Sequence, residues 1–481
     1  MTRRPAEHPP VVAIIGGGFS GAALAYHLAR RPDSAGARII VVEPRERLGA
    51  GLAYSSAEPS HRINVPAGRM SLDTAEPDQF ARWLEGARLL ENGERAASDV
   101  YAQRGLFGRY VHEALTPLVR AGRIEHCRAR AERITRETDG RFRIQLSDTV
   151  ELTADILALA TTHPLPAVPS PLARVAQAKG FLADPYDPAA LAAVPDKARV
   201  LIVGNGLTSA DMVATLDRLG HRGSIVTLSR NGLRSRGHAL RPVEARGDFT
   251  SDPETSAVSL LRRIRREIEA AGREGLSWHG VLDAVRSQGQ AIWQGLPERE
   301  RARIVRHLRT IWDVHRFRIA PEVEATLERM ERDGRLRRIA ATLTGAEAVA
   351  DGFDVKLRPR RSVEVETQRF DVIVNTTGPA HRSIIAAEPA RSLHEADLIA
   401  LDRVGLGLAT ARDGSALGSN GEPVEGLFIA GPLARGTFGE LMGLPQVTAY
   451  AEHLAETLVH ELARREPAGP HGETGSHRRS A

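Results

Sequence analysis

A single cysteine, Cys127, stands in 481 residues. No intrachain disulfide and no Cys-x-x-Cys pair can form, so a dithiol reductase mechanism is excluded. Lysine is nearly missing, found only at Lys179, Lys197 and Lys356. The positive charge is therefore almost all arginine, which reads mainly as codon bias, with a minority left to grip phosphates or carboxylates through a fork of donors. The formal net charge is only +5 despite a pI of 9.7, a balance that does not argue for nucleic acid. No stretch of about 18 uninterrupted apolar residues occurs, so the chain is expected to be soluble and cytoplasmic, with no membrane partner. The N-terminal TRRP followed by an apolar run imitates a secretory signal, but three consecutive glycines interrupt it and favour folded structure. Among the 17 histidines neither a Ser/His/Asp set nor a metal-ligand spacing stands out, so no metal is expected.

What is present is ordinary globular material, 42% hydrophobic and 26% charged, in a length that calls for two or three domains. The segment VVAIIGGGFSG opens it. VVAIIGGG reads as a strand, Gly21 to about Arg30 as a helix, and ARIIVVEP as a second strand ending in Glu43. Gly16, Gly18 and Gly21 take GxGxxG spacing inside this βαβ unit. The first permits a tight turn, the second lets backbone approach a pyrophosphate, and the third lets helix pack against strand. The helix N-terminus, with Phe19 and Ser20, then faces the phosphates, and Glu43 is placed to accept from ribose hydroxyls.

Residues 200 to 211, VLIVGNGLTSAD, spell the unit again with Gly204, Gly206 and Ser209 in GxGxxS spacing, a helix through Leu219 and the strand SIVTLSR. This second strand ends in Ser229 and Arg230 where the first has an acid. An acid there repels a 2′-phosphate, whereas serine and arginine hold one, so the second unit suits NADPH. Two cradles predict FAD in the first lobe and NADPH in the second. The expected fold class is α/β, two Rossmann-like dinucleotide-binding domains with a helical insertion. The expected boundaries are 10–165 for the first part of the FAD domain, 196–365 for the NADPH domain with its insertion at 251–335, 366–465 for the second FAD part, and 466–481 as a disordered tail. DILALATTHPLP at 155 to 166 and DVIVNTTGPA at 371 to 380 read as strands passing between lobes beside a dinucleotide, the second carrying Thr377 and Gly378. Thr162 stands where a glycine would give closer backbone approach.

The insertion is charged and helically patterned. Within it WDVHRFRIAP crowds Trp312, His315, Arg316 and Arg318 before Pro321, and His315 and Arg316 are candidates to bind substrate.

HRINVPAGRMSLDTAEPDQFARWL at 61 to 84, IVGNGLTSADMV, SRNGLRSRGH, IWDVHRFRIAP and GPLARGTFGE resemble the bacterial YdhS-like FAD/NAD(P)-binding family over about residues 11 to 460. That group contains flavin-dependent L-aspartate N-monooxygenases and urate hydroxylases. More distantly the chain is similar to ornithine and lysine N-hydroxylases, through the pattern Pro77, Phe80, Trp83 and Leu84. Gly431 is followed by Pro432 where many flavoproteins carry an aspartate. The Baeyer-Villiger fingerprint is missing, residues 179 to 186 reading KGFLADPY, which disfavours ketone oxygenation.

The resemblance implies an NADPH-using, FAD-dependent monooxygenase, with molecular oxygen activated as a flavin C4a-hydroperoxide and an amine, aspartate first, as the oxygen acceptor. It further implies Asn64 beside flavin and nicotinamide as the catalytic polar group, Met70, Gly378 and Gly431 along the cofactor, and Arg62 and Arg69 as carboxylate clamps. Hydroxylation of urate or a similar heterocycle, a simple FAD-dependent NAD(P)H oxidoreductase, and a non-enzymatic flavin sensor stay open, as does homo-oligomer formation.

Overall fold

The computed structural model describes residues 8–90, 96–162, 166–378 and 380–465. The first lobe grows from Val11–Ile15 and Arg38–Val42, short β-branched strands whose side chains are buried on both faces, as a central parallel sheet requires. They pair in parallel, Ala13 against Ile40, and build a six-stranded sheet in the order 415–417, 423–429, 156–159, 11–15, 38–42, 125–127. The helix Phe19–Arg30 lies against it and is itself covered by the long helix Leu444–Arg465. Ala22, Ala23, Ala25 and Ala29 are almost wholly buried at that contact, and their small size lets the two helices approach closely.

The second lobe repeats the plan around Val200–Val203 and Ile225–Ser229, again parallel, in a seven-stranded sheet ordered 366–370, 352–359, 336–349, 225–229, 200–203, 372–375, 181–182. The helix Leu207–Arg218 joins its first two strands. Six helices lie between Ser229 and Leu336, from Ala257–Arg273 to Pro321–Arg332, and part of them surrounds a separate apolar cluster around Phe249, Leu260 and Val281. The α/β class, with two sheets built on parallel strands and extended by antiparallel ones, and a helical insertion, is as the sequence predicts.

The domain boundaries differ in two places. Glu366–Phe370 and Val372–Asn375 belong to the second sheet, Val372 pairing with Val200, so the chain returns to the first lobe only after Gly378 and not at 366. Phe181–Leu182 pairs with the same strand, ahead of the expected start at 196. Short apolar runs carry no label of the sheet they join, which is why 366–375 reads as part of the first lobe and Phe181–Leu182 as outside both. The tail at 466–481 and residues 163–165 of the first inter-lobe segment lie outside the described residues.

A buried polar seam ties the lobes. Arg104, which opens the helix Arg104–Arg120 of the first lobe, reaches Asp211 on the second lobe's helix with Nη1 2.7 Å from Oδ2, and its Nε donates to the Arg62 carbonyl at 2.9 Å. Beside it the His61 ring lies between Ser56 Oγ at 2.8 Å and Thr215 Oγ1 at 3.1 Å. Burial pushes the Asp211 carboxyl up, with Arg104 and then His61 pulling it back. Removing one partner of a buried pair leaves the other charge uncompensated, at a cost of about 3–5 kcal/mol. Arg104→Met should lower the thermal unfolding midpoint sharply, and adding Asp211→Leu should restore most of the loss. A double variant as unstable as the single one would show that the seam depends on more than this pair.

Candidate active site

The first glycine turn is built by close approach. Gly16 has φ +105°, and a Cβ there would lie 2.6 Å from the Ala160 carbonyl oxygen. At Gly21 a Cβ would meet the Gly16 carbonyl oxygen at 1.9 Å, so helix and strand touch through backbone. Gly18 differs, because its Cβ would meet only the Gly51 Cα, at 3.4 Å. Its backbone is extended and it caps the helix with no side-chain hydrogen bond and no acid in the first turn. Open space over uncapped helix amides is what a pyrophosphate needs. Ser20 Oγ faces the backbone of Gly431, which has φ +70° and whose Cβ would lie 2.2 Å from that oxygen. Phe19 and Met70 bury their side chains in the core, Phe19 against Phe107 at 5.6 Å, so only their backbone can face a cofactor.

Glu43 is more committed than a free ribose acceptor. Its Oε2 accepts from Gly17 N at 3.0 Å, and its Oε1 accepts from Arg45 N at 3.0 Å and Arg45 Nη1 at 3.1 Å. The carboxylate therefore braces the glycine turn with three of its roughly four acceptor sites, leaving about one for a hydroxyl.

The second turn has the same form. A Cβ on Gly204, φ +125°, would strike Thr376 Oγ1 at 2.4 Å, while one on Gly206 would meet nothing within 4 Å. Ser209 is buried under the turn, Gly378 has φ +85° and open space beside it, and Arg230 is exposed. Ser229 Oγ is buried with no hydrogen-bond partner among the described residues, and so is Nη1 of Arg234, whose Nη2 donates to Glu324 at 3.2 Å. Arg234 escaped the sequence reading, its only signal being an arginine five residues past the strand end.

Asn64 lies half-buried between the lobes, its carbonyl accepting from His238 Nε2 at 3.2 Å. Burial, then the charge of Arg318, holds the His238 imidazole down to about 4, so it is neutral near pH 7. Arg62 donates from Nη1 to the Tyr101 carbonyl at 3.4 Å, and Arg69 is exposed at the end of the turn Ala67–Arg69. His315 packs edge-on to Trp278 and donates from Nδ1 to the Ile311 carbonyl at 2.7 Å.

Arg316 leads to a cluster that spacing did not reveal. It is almost wholly buried and pairs with Glu440, with Asp313 3.7 Å away. Arg286 Nε lies 3.7 Å from Glu440, and its Nη2 donates to Gln446 at 3.4 Å. Arg435 Nη2 lies 3.8 Å and Arg309 Nε 3.4 Å from Asp313. Four arginines thus share two acids. Nε of Arg286 and both Nε and Nη2 of Arg316 are buried with no hydrogen-bond partner among the described residues. Burial, then the Arg316 charge and finally that of Arg69, push the Arg286 guanidinium down to about 10 against the pull of Glu440, and burial with Arg316 does the same to Arg435. Both stay protonated at neutral pH, so the cluster carries excess positive charge beside the Gly443 to Gln446 turn.

Two glycine cradles, one in each lobe, define a protein of the two-dinucleotide class. Residues 13–164 match the family described as FAD-NAD(P)-binding. No curated protein matches the chain in sequence. Among solved structures it is similar to the reduced form of ornithine hydroxylase from Pseudomonas aeruginosa, with TM-score 0.65 and 15% identity over 95% of this chain and 100% of that one. It is similar also to L-lysine 6-monooxygenase from Pseudomonas syringae, with TM-score 0.62 and 17% identity over 95% and 99%. A third is the Kutzneria sp. 744 ornithine N-hydroxylase with reduced FAD, NADP+ and L-ornithine, with TM-score 0.60 and 17% identity over 96% and 100%. At these identities the likeness is one of fold. No helix among the described residues is long and apolar enough to cross a membrane.

The glycine geometry separates two substitutions. Gly18→Ala should fold and lose FAD, read as flavin absorbance per chain, since its methyl fills only the open cradle. Gly21→Ala should lower stability even without flavin, because the methyl collides with the Gly16 carbonyl. Normal FAD content in Gly18→Ala would place the dinucleotide elsewhere.

Proposed function

We propose that the chain is an FAD-dependent, NADPH-using monooxygenase that hydroxylates the nitrogen of a small acidic amino acid, aspartate first. The observation that carries the acidic substrate is the arginine cluster. Burying unpaired guanidinium donors is costly, and a carboxylate entering beside Arg286 and Arg316 satisfies them with charge-assisted hydrogen bonds. The N-hydroxylase fold of the similar structures supports the reaction class. When bound, the flavin supplies the chemistry that takes hydride from NADPH and reduces oxygen. In balance, amine, O2, NADPH and a proton give hydroxylamine, water and NADP+. The chain's own part is to hold the carboxylates, keep the amine aimed and exclude water. Asn64, between the lobes, is the polar group we assign to the nicotinamide and flavin edge. Arg230 and Ser229 take the 2′-phosphate.

Aspartate should stimulate oxygen-dependent NADPH oxidation, with an N-hydroxy or nitroso product by mass spectrometry. Arg286→Met should raise KM for aspartate by about ten- to a hundredfold, the worth of a charge-assisted hydrogen bond, with FAD content unchanged. NADPH consumption yielding only hydrogen peroxide, or clean hydroxylation of urate, overturns the aspartate assignment. Arg230→Ala should raise KM for NADPH by a similar factor and leave NADH alone, and equal effects on both coenzymes would remove Arg230 from phosphate recognition.

A further inference from the structure

The helical insertion frames a cavity of about 440 Å³ against the first lobe's segment at 435 to 440. Its wall is built mainly from Leu260, Ile264, Ile292, Trp278, Trp293 and Trp312, so three of the chain's four tryptophans line it. The Trp293 indole N–H donates to the Gly436 carbonyl at 2.9 Å, so that ring has no polar group left to offer. The ionic groups on the wall are paired inside the protein: Arg309 and Arg435 lie 3.4 and 3.8 Å from Asp313, and Glu440 pairs with Arg316. Arg265 is exposed, and solvent screens it. In the arginine cluster the donors without a partner belong to Arg286 and Arg316, and neither residue lines this cavity. A charged ligand would lose its hydration here with no counter-charge free to meet it. A neutral one avoids that cost, and apolar cavities stay dry and take apolar molecules. Flat aromatic rings gain most, because they pack on indole faces and edges. Size narrows the class further: the volume is that of a small-molecule site, whereas a helix roughly 10–12 Å across would exhaust it within about one turn.

We propose that this cavity is a binding site for a neutral, flat apolar molecule of one or two aromatic rings, packed against Trp278 and Trp312. The site is additional to the arginine cluster assigned to the amino acid and goes beyond the monooxygenase reading, since binding here needs no turnover.

The test is titration of the FAD-loaded protein with N-phenyl-1-naphthylamine, a neutral probe whose emission rises in apolar surroundings, followed by calorimetry and by tryptophan quenching. The probe should saturate at a single site per chain and quench tryptophan emission. 3-Phenylpropan-1-ol should displace it at a concentration at least about tenfold lower than its anionic isostere 3-phenylpropanoate, which must give up its hydration to enter. Ile292→Trp, which fills the cavity, should abolish probe binding while FAD content stays normal. Trp312→Leu, which keeps the wall apolar, should weaken the probe about five- to tenfold, the worth of one aromatic contact. Saturating aspartate should shift the probe's Kd by less than about threefold, as independent sites require. Absence of saturable binding, displacement by the acid as good as by the alcohol, binding unaltered in either variant, or displacement by aspartate would each overturn the proposal. So would loss of probe binding as the chain self-associates at higher concentration, which would give this face to a second copy. Failure of aspartate oxidation alone would leave the binding result standing.

Discussion

Everything in the two lobes depends on how closely backbone can approach backbone at the glycine turns. In the first, a strand, a helix and a third segment at Ala160 converge on Gly16 and Gly21 with no room for a methyl group. In the second, Gly204 meets Thr376 in the same manner. At Gly16 and Gly204 the contacts that make glycine obligatory come from segments more than a hundred residues away in sequence, Ala160 and Thr376, while Gly21 closes on Gly16 itself. A local turn is thereby converted into a tertiary joint, and the helix leaving it has its direction fixed by the strand it touches. The middle glycines, Gly18 and Gly206, are free of that crowding. One motif therefore contains both packing glycines and glycines that leave space for a ligand, and only the second kind reports on a dinucleotide.

The joint has a consequence for the cleft. The helix that starts at Gly206 also carries Asp211 and Thr215, which grip Arg104 and His61 of the first lobe. The segment from Ser56 to Asn64 is thus fastened to the helix whose N-terminus faces the second cradle. The position assigned to Asn64 is set by both lobes at once, through His61 on one side and through the His238 hydrogen bond on the other. Burial and the Arg318 charge keep His238 neutral, and in that form its Nε2–H donates to the Asn64 carbonyl across the lobes.

Much of this was legible in the sequence, for a physical reason. The βαβ units announce themselves because strand, turn and helix are local, and glycine spacing encodes local geometry. The insertion was legible from its 3.6-residue periodicity. Sheet membership was not, because Val372–Asn375 and Phe181–Leu182 are apolar runs whose partners lie far off in sequence. Glu43 illustrates a finer failure. Its place at the end of the second strand was right for a ribose acceptor, yet spacing could not reveal that the Gly17 amide and Arg45 occupy most of its oxygens.

Arginine was the least legible residue type, and the reason lies in the composition. Where almost every cation is arginine, an arginine by itself carries no information; what distinguishes one is whether acids match it. Arg199 with Asp371 and Arg246 with Glu274 are satisfied at the surface, where such pairs contribute little. Arg62 and Arg69 drew attention by their nearness to Asn64; Arg62 donates to the Tyr101 carbonyl, and Arg69 is exposed with its charge felt at Arg286. Arg286, Arg316 and Arg435 come from three different helices, and the acids they lie against among the described residues are Glu440 and Asp313. What sets them apart is an excess of buried guanidinium over buried carboxylate, a property of the assembled fold that no single segment contains. Donors fixed in this way are already ordered, so binding of an anion there, as proposed, would carry little further ordering cost.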